Sequence, residues 1–334
     1  MEVNLSLPKS WKEWERPLLD LDDGLAKLAK LAENSTGEER SKLDARIREF
    51  EKRRDRYIEQ KYQNLSPWEK VLVARAEPRP YTLDYIGELM TDFTELQGDR
   101  RFGTDNAIIG GPAKFRGQPV MVVGHQKGRT IPERNLRNFA MSKPEGYRKA
   151  VRLFEMADRF RLPVVTFIDT PAADPGPESE SRGISEAIAA GMLAMFGVRT
   201  PIVSVVIGEG GSGGAIGIGV ANRVLMLEHS VYSVIPPEGC AAILWRAPER
   251  GPEASQALRL TADYALELGL IDEIVPEPFG GAHRNAAEAA RLVGSAIQMA
   301  LEELLPLGPE AVKKHRYEKF RAMGRFGVAE PVAK

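Results

Sequence analysis

The stretch 207–219, IGEGGSGGAIGIG, places seven glycines in thirteen residues directly behind the apolar run PIVSVV (201–206). That run has the composition of a strand buried on both faces. Ordering a glycine costs roughly 0.5 to 1 kcal/mol more than ordering an alanine. Seven together imply a place that side chains would obstruct, either tight helix–strand packing or a backbone that approaches a ligand.

Motif templates do not choose between these readings. Gly208, Gly210 and Gly213 match G-x-G-x-x-G, and Glu228 follows at about the 20-residue offset of a dinucleotide-binding unit. The match starts two thirds of the way along the chain, which leaves too little sequence for the usual two halves. Gly210, Ser212 and Gly214 match G-x-S-x-G, with Ser212 as a nucleophile on a strand-to-helix turn. Such a serine needs a histidine and an acid in reach; His229, His283 and His315 follow it, whereas His125 precedes it. The Walker A template fails because no lysine follows the glycines. A fourth reading needs only backbone: a helix opening near Gly213 points unpaired N–H groups at the turn, forming an oxyanion hole or anion site. A second loop, IDTPAADPGPESESRGISEAIA (168–189), makes the same passage from strand through turn to helix. The two turns are expected to converge on one pocket.

Outward from these loops, PVMVVGH (119–125), LPVVTFID (162–169), TPIVSVVIG (200–208), RVLMLE (223–228) and VYSVIPP (231–237) read as strands. Residues 144–160 and 179–197, and a short segment inside the glycine stretch, read as helices between them. This alternation predicts an α/β domain with strands covered by helices. Upstream, Leu18, Leu21, Leu25, Leu28 and Leu31, then Leu43, Ile47, Phe50 and Tyr57, recur at helical spacing on either side of NSTGEE. They predict a hairpin of two amphipathic helices that docks on the main domain or on another chain. The tail from about residue 283 is helical again, and 286–305 reads as one amphipathic helix.

The 334 residues carry a net charge of -1, so no basic surface points to nucleic acid as a partner. One cysteine, Cys240, excludes an intramolecular disulfide and a multi-cysteine metal site within this chain, and reads as a small buried hydrophobe. MEVNLSLPKSWKEWER has no apolar leader core, and no apolar run reaches the roughly 18 residues of a membrane span. The expected location is the cytoplasm.

RPYTLDYIGELMTDFTELQGDR, VVGHQKGR, RNFAMSKPEGYRKA, FIDTP, IGEGGSGGAIGIG, YSVIPPEGCAAILW and LIDEIVPEPFGGAHRN, in this order, resemble the carboxyltransferase alpha-subunit family of bacterial acetyl-coenzyme A carboxylase. The resemblance runs from about Arg79 to Arg284. It implies a crotonase-like (ClpP/crotonase) α/β fold of repeated ββα units, with an N-terminal helical extension at 1–78, the carboxyltransferase domain at 79–284 and a C-terminal helical segment at 285–334. It implies an α2β2 enzyme that moves carboxyl from carboxybiotin, borne by biotin carboxyl carrier protein, to acetyl-coenzyme A, giving malonyl-coenzyme A for fatty acid synthesis. ATP is then used by the partner biotin carboxylase, and zinc sits on the beta subunit alone.

For the site, the resemblance places the oxyanion hole for the biotin ureido oxygen on the amides of Gly213 and Gly214. Gly210, Gly211 and Ser212 shape the turn, and Ala172 and Ala173 face it from the second loop. The basic cluster HQKGR (125–129), with Lys127, Arg129, Arg134 and Arg137, either receives phosphate or carboxylate groups or is solvated and subunit-pairing. His125 reads as a structural histidine, and Glu238 and Cys240 as neighbours of the pocket or interface without chemistry. Ala172 and Asp174 stand where the family has glycine and tyrosine. An extra carboxylate beside an anion site is unfavourable unless Asp174 turns away or pairs with an arginine such as Arg182. A self-contained crotonase-type hydratase, a serine hydrolase and a non-catalytic scaffold are the competing readings.

Overall fold

The computed structural model describes residues 8–324; residues 1–7 of the opening stretch 1–16 lie outside them. Eight strands form one sheet: β1 (Met90–Thr91), β2 (Ile108–Phe115), β3 (Gln118–His125), β4 (Val164–Thr170), β5 (Ile202–Gly211), β6 (Arg223–Leu227), β7 (Val231–Ser233) and β8 (Glu273–Val275). Their order is β1-β2-β3-β4-β5-β6-β8, with β7 also paired to β5. β1, β2 and β3 are antiparallel, and every pairing from β3 onward is parallel. β2 and β3 form a tight hairpin, because Arg116 and Gly117 take φ of 49° and 84° and close the turn between Phe115 and Gln118. With the helix Pro144–Phe160 they make a ββα unit, and single βα steps follow.

Both faces of the sheet are covered, which explains the near-continuous apolar strands. Met121, Val123, Val164, Ile168, Ile202 and Val206 face the helices Pro144–Phe160 and Ile184–Gly197. Val122, Val165, Phe167, Val203 and Val205 face the helices Thr82–Leu89 and Ala286–Leu304. The helix Ala286–Leu304, expected in a separate C-terminal segment, is thus one layer of this core.

The N-terminal helices Arg16–Glu33 and Gly37–Tyr62 form the expected hairpin. Its base docks on the main domain through Glu15, which meets His283 Nε2 at 3.0 Å, the Tyr62 hydroxyl and Arg284. Trp11, Trp14 and Trp68 continue the contact in a cluster that reaches Val231 and Leu260.

The structure corrects several expected elements. β5 runs on to Gly211, through Gly208, Gly210 and Gly211, rather than ending at residue 208. The expected helix 179–197 is two, Pro177–Ser181 and Ile184–Gly197, separated at Gly183, whose φ of 79° belongs to the left-handed region. β7 stops at Ser233, and Pro237 opens the helix Pro237–Trp245. β1, β2 and β8 were not expected.

Candidate active site

The parallel strands β3, β4 and β5 end at one edge of the sheet, so the segments that leave them share a neighbourhood. β5 changes partner just before its end: Val203–Val206 pairs with β6, and Glu209, Gly210 and Gly211 pair with β7. The turn that follows is therefore held on both sides. Ser212 sits at φ 50° and opens the short helix Ser212–Ile216. In the first turn of such a helix the amides of Gly213 and Gly214 have no intrahelical acceptor.

The second loop meets this turn backbone to backbone. A Cβ on Gly211 would lie 1.9 Å from the Pro171 carbonyl oxygen, and one on Gly214 would lie 2.6 Å from the Ala172 carbonyl carbon and 2.8 Å from the Ala173 nitrogen. The expected convergence of the two turns is thus direct contact. At six of the seven glycines an added Cβ would come within 3.0 Å of a neighbouring atom. Gly213 is the least crowded of the seven, the nearest atom being the Cδ1 end of the Ile188 side chain at 3.1 Å, still a tight contact. Packing is therefore a sufficient reason for six of the glycines and is weakest at Gly213.

Beside Gly213 opens a cavity of about 370 Å³ whose walls include Ser212, Ile216, Tyr232, Val234 and Phe320. Among the described residues no carboxylate, histidine, lysine or arginine lines it. Its walls are mostly apolar, with Ser212, Ser233 and Tyr232 as the polar side chains among the described residues.

The 171–174 loop is fixed by a strained neighbour. Asn138, Phe139 and Ala140 take φ of 46°, 54° and 63°, three successive left-handed residues without a glycine. The Thr170 hydroxyl reaches the carbonyls of Ala140 and Ala172, each at 2.7 Å. Asp174 accepts from Asn138 Nδ2 at 3.1 Å and from the Ser179 hydroxyl. Its carboxylate is therefore held by neutral donors and not by Arg182, which pairs with Glu145 at 2.9 Å.

On the other side of Pro171 lies the basic cluster. Lys127 Nζ is 2.7 Å from Asp169 and 3.1 Å from Glu209. Arg75 is 2.7 Å from Glu209 and 2.5 Å from Glu238. Arg129 pairs with Asp84, donates to the Glu77 carbonyl at 2.9 Å and lies over the Tyr81 ring. Arg134 pairs with Glu77 at 2.9 Å, and Arg137 donates to the Asn106 carbonyl at 2.9 Å. Lys127 and Arg129, expected as receivers of substrate anions, thus already have anionic partners within the chain. Burial would raise the Glu209 carboxyl, but Lys127 and Arg75 overcome it and hold the group at about 2. Arg75, Asp169 and Glu209 were absent from the sequence-based site, since nothing local announces partners 40 to 134 residues apart.

His125 is fully buried beneath the turn, facing the carbonyls of Gly214 and Phe167 without a well-formed hydrogen bond. Burial, helped by the Lys127 charge, pushes it down to about 3, so it is neutral. Among the described residues no histidine hydrogen-bonds Ser212: His283 lies on Glu15, His315 on Asn222, and His229 beside the Tyr62 ring. The nucleophile reading of Ser212 therefore lacks its base. The dinucleotide reading fails as well, because Asp169 and Tyr232 fill the space over Gly208 and Gly210 that a pyrophosphate would need. Cys240, expected to be buried, is partly exposed.

Comparison with known proteins agrees with this geometry. The family described as acetyl co-enzyme A carboxylase carboxyltransferase-like matches residues 11–324. The acetyl-coenzyme A carboxylase carboxyl transferase subunit alpha of Geobacter metallireducens is 51% identical over 314 residues, covering 94% of this chain and 97% of that protein. The protein of the same description from Thermus thermophilus is 51% identical over 319 residues, covering 96% and 99%. Among solved structures, transcarboxylase 12S superposes with a TM-score of 0.54 at 17% identity, over 79% of this chain and 46% of that one. A Pseudomonas malonate decarboxylase hetero-tetramer gives 0.52 at 20% identity, over 65% and 86%. Those two likenesses establish the crotonase-like carboxyltransferase fold. With its glycine turn, two-sided sheet and near-full-length match, the chain belongs to the acetyl co-enzyme A carboxylase carboxyltransferase-like family.

Proposed function

We propose that this chain is the alpha subunit of an acetyl-coenzyme A carboxyltransferase, which together with a beta subunit forms malonyl-coenzyme A from acetyl-coenzyme A in a biotin-dependent reaction that feeds fatty acid biosynthesis. The observation that carries the reading is the helix start at Gly213 and Gly214, beside a cavity lined, among the described residues, by no histidine, carboxylate, lysine or arginine. Apolar walls with convergent amides suit the folded bicyclic ring and polar ureido group of biotin. When bound, biotin supplies an activated carboxyl group and a ureido oxygen that gains negative charge as that group leaves.

The chain's part follows from its backbone. Gly213 and Gly214 present amides from a helix start, and the Ala173 amide lies against Gly214 across the joined loops. Donors held in place before the reaction stabilise new negative charge without reorganising, which is worth about 10²–10³ in rate for one donor. Gly210 and Gly211 let β7 and Pro171 close on the turn, and Ser212 supplies the left-handed bend.

In this reading the assembly is α2β2, biotin arrives on biotin carboxyl carrier protein, biotin carboxylase uses the ATP, and zinc belongs to the beta subunit. Val234, Ile243 and Leu244, exposed by 75%, 74% and 64%, offer an apolar surface that supports a partner chain near the turn. Among the described residues no helix is long and apolar enough to cross a membrane, in keeping with a cytoplasmic enzyme. The hydratase reading is not favoured. It needs a carboxylate acid/base pair in the pocket, whereas Asp169 and Glu209 are bound to Lys127 outside it.

The test is the reverse reaction: decarboxylation of malonyl-coenzyme A dependent on a soluble biotin derivative, with this chain alone and then assembled with a zinc-ribbon beta subunit. Activity confined to the mixture supports the proposal. Activity of the chain alone, or none in a mixture that assembles, overturns it.

A further inference from the structure

We infer that Lys127 is a positioning residue for the transfer reaction: its ammonium bridges the carboxylates of Asp169 and Glu209 and so fixes the spacing of the two amide-bearing turns. The inference rests on the carboxyltransferase reading above.

Asp169 is the last residue but one of β4, immediately before the turn that contains Ala172 and Ala173. Glu209 stands near the end of β5, immediately before the turn that contains Gly213 and Gly214. Regular β4–β5 pairing stops at Ile168↔Val206 and resumes at Thr170↔Gly210. Across that gap Asp169 alone opposes three residues of β5, so the backbone ladder is interrupted just before the strand ends and a single pair, Thr170↔Gly210, remains beyond it. Side chains take over. Asp169 Oδ1 accepts the Glu209 N–H at 2.9 Å, lying so close on β5 that a Cβ at Gly208 would be 2.4 Å from it.

Two carboxylates are thereby brought together where water is largely excluded, with side-chain exposures of 4% and 11%. A pair of like charges in such a place holds only with a cation between them. Lys127, two residues beyond the end of β3, reaches both, so three successive parallel strands are tied at the edge where the turns leave. Arg75 takes the other Glu209 oxygen and passes the network to Glu238, while Asp169 has Lys127 as its one salt-bridge cation among the described residues. The network counts two cations, Lys127 and Arg75, against three anions, Asp169, Glu209 and Glu238. Removing Lys127 leaves Asp169 uncompensated at the root of the Ala172–Ala173 turn.

The test uses the full chain assembled with its beta subunit and compares wild type, Lys127→Met and Lys127→Met/Glu209→Gln. Displacing preorganised groups by about 1 Å costs on the order of 10²-fold, so Lys127→Met is expected to lose about that in kcat with KM for malonyl-coenzyme A little changed. The double variant, which removes the repulsion, is expected to regain at least about tenfold. In Lys127→Met the Glu209 carboxyl, facing Asp169, Arg75, Glu238 and Tyr81, loses the charge that most lowers it and takes up a proton more readily, so residual activity rises as the pH is lowered from about 8 toward 6. The double variant loses that acid limb. A purely structural lysine would show neither the rescue nor the limb.

Amide hydrogen exchange over residues 208–217 is measured on the same samples and needs no turnover; faster exchange in Lys127→Met supports the clamp even if the wild-type assembly proves inactive and the carboxyltransferase reading falls. An assembled Lys127→Met with wild-type kcat and unchanged exchange overturns the inference. A rise confined to KM also overturns it, in favour of direct substrate contact. If Lys127→Met does not assemble, the double variant decides: kcat within about tenfold of wild type supports the clamp, and a folded double variant down by about 10²-fold or more overturns it.

Discussion

Gly213 and Gly214 are adjacent and both in the first turn of one short helix, yet substituting them with alanine should have opposite signatures. At Gly214 the new methyl would press on the backbone of Ala172 and Ala173 at 2.6 and 2.8 Å, and backbone cannot swing aside as a side-chain tip can. Overpacking of this kind costs about 1–3 kcal/mol, or roughly 2–12 °C in unfolding midpoint, and it parts the two loops. The N–H is retained, but activity should fall by about 10²-fold as the amides of the two loops are displaced from each other. At Gly213 the methyl meets only the end of Ile188, 3.1 Å away. The gain of about 0.5–1 kcal/mol from replacing a helical glycine offsets that small contact, so stability should stay within about 1 kcal/mol of wild type. The N–H also survives. If the side of Gly213 that borders the cavity receives the ligand, the methyl nevertheless costs about 1–3 kcal/mol of binding, or roughly 5- to 150-fold in kcat/KM. The assay is malonyl-coenzyme A decarboxylation by the assembled enzyme, paired with thermal unfolding. A Gly213→Ala enzyme that is stable, assembled and within about twofold of wild-type kcat/KM refutes the assignment of that space to the ligand.

Ser212→Ala should keep activity within about tenfold, since no histidine activates the hydroxyl, and Ser212→Gly should be stabilised by about 1 kcal/mol in unfolding experiments because φ of 50° suits glycine. Arg79 and Glu277 form an ion pair with side-chain exposures of 2% and 0%, so Arg79→Met should cost about 3–5 kcal/mol in denaturant titrations by stranding a buried carboxylate. Burial would raise Glu277, but Arg79 and then His229 hold it at about 2. Its contribution to stability is accordingly complete above the ordinary carboxylate range and is lost as pH falls toward 2. His125, pushed down to about 3 by burial, makes the unfolded chain take up a proton that the folded chain refuses between about pH 6.5 and 3. Stability should fall as pH drops through that window, and a His125→Gln variant that folds should show a shallower decline in chemical denaturation over the same range.

The parts legible in the sequence were those written locally. Val/Ile runs bounded by Gly and Pro marked β3 to β6, and leucines at helical spacing marked the hairpin at the N-terminus. β2 escaped because IIGGPAKF holds two glycines and a proline, which break the strand pattern although the tight Arg116 and Gly117 turn beside it is a hairpin signal. The glycine stretch was readable as a site but not as to which residue serves which end. Gly208, Gly211 and Gly214 are required by Asp169, Pro171 and Ala172, segments about 40 residues earlier in the chain, and only their tertiary neighbours reveal it. Lys127 is the same lesson for charge. HQKGR resembles an open basic patch until Asp169 and Glu209 arrive beside it from two other strands.

Closing the second sheet face with the helix Ala286–Leu304 ties the first part of the main domain to nearly the last. The helix Thr82–Leu89 lies on that face from early in synthesis, yet its companion is made more than 200 residues later. At about 5–20 residues per second, a ribosome needs roughly 10–45 s to cross that interval. Within it β3, β4 and β5 emerge in turn, and the Val- and Phe-bearing side of each waits without the cover of Ala286–Leu304. A newborn chain of this topology spends those seconds with an adhesive sheet in water, which makes chaperone access during translation a condition of its yield as much as its final stability is.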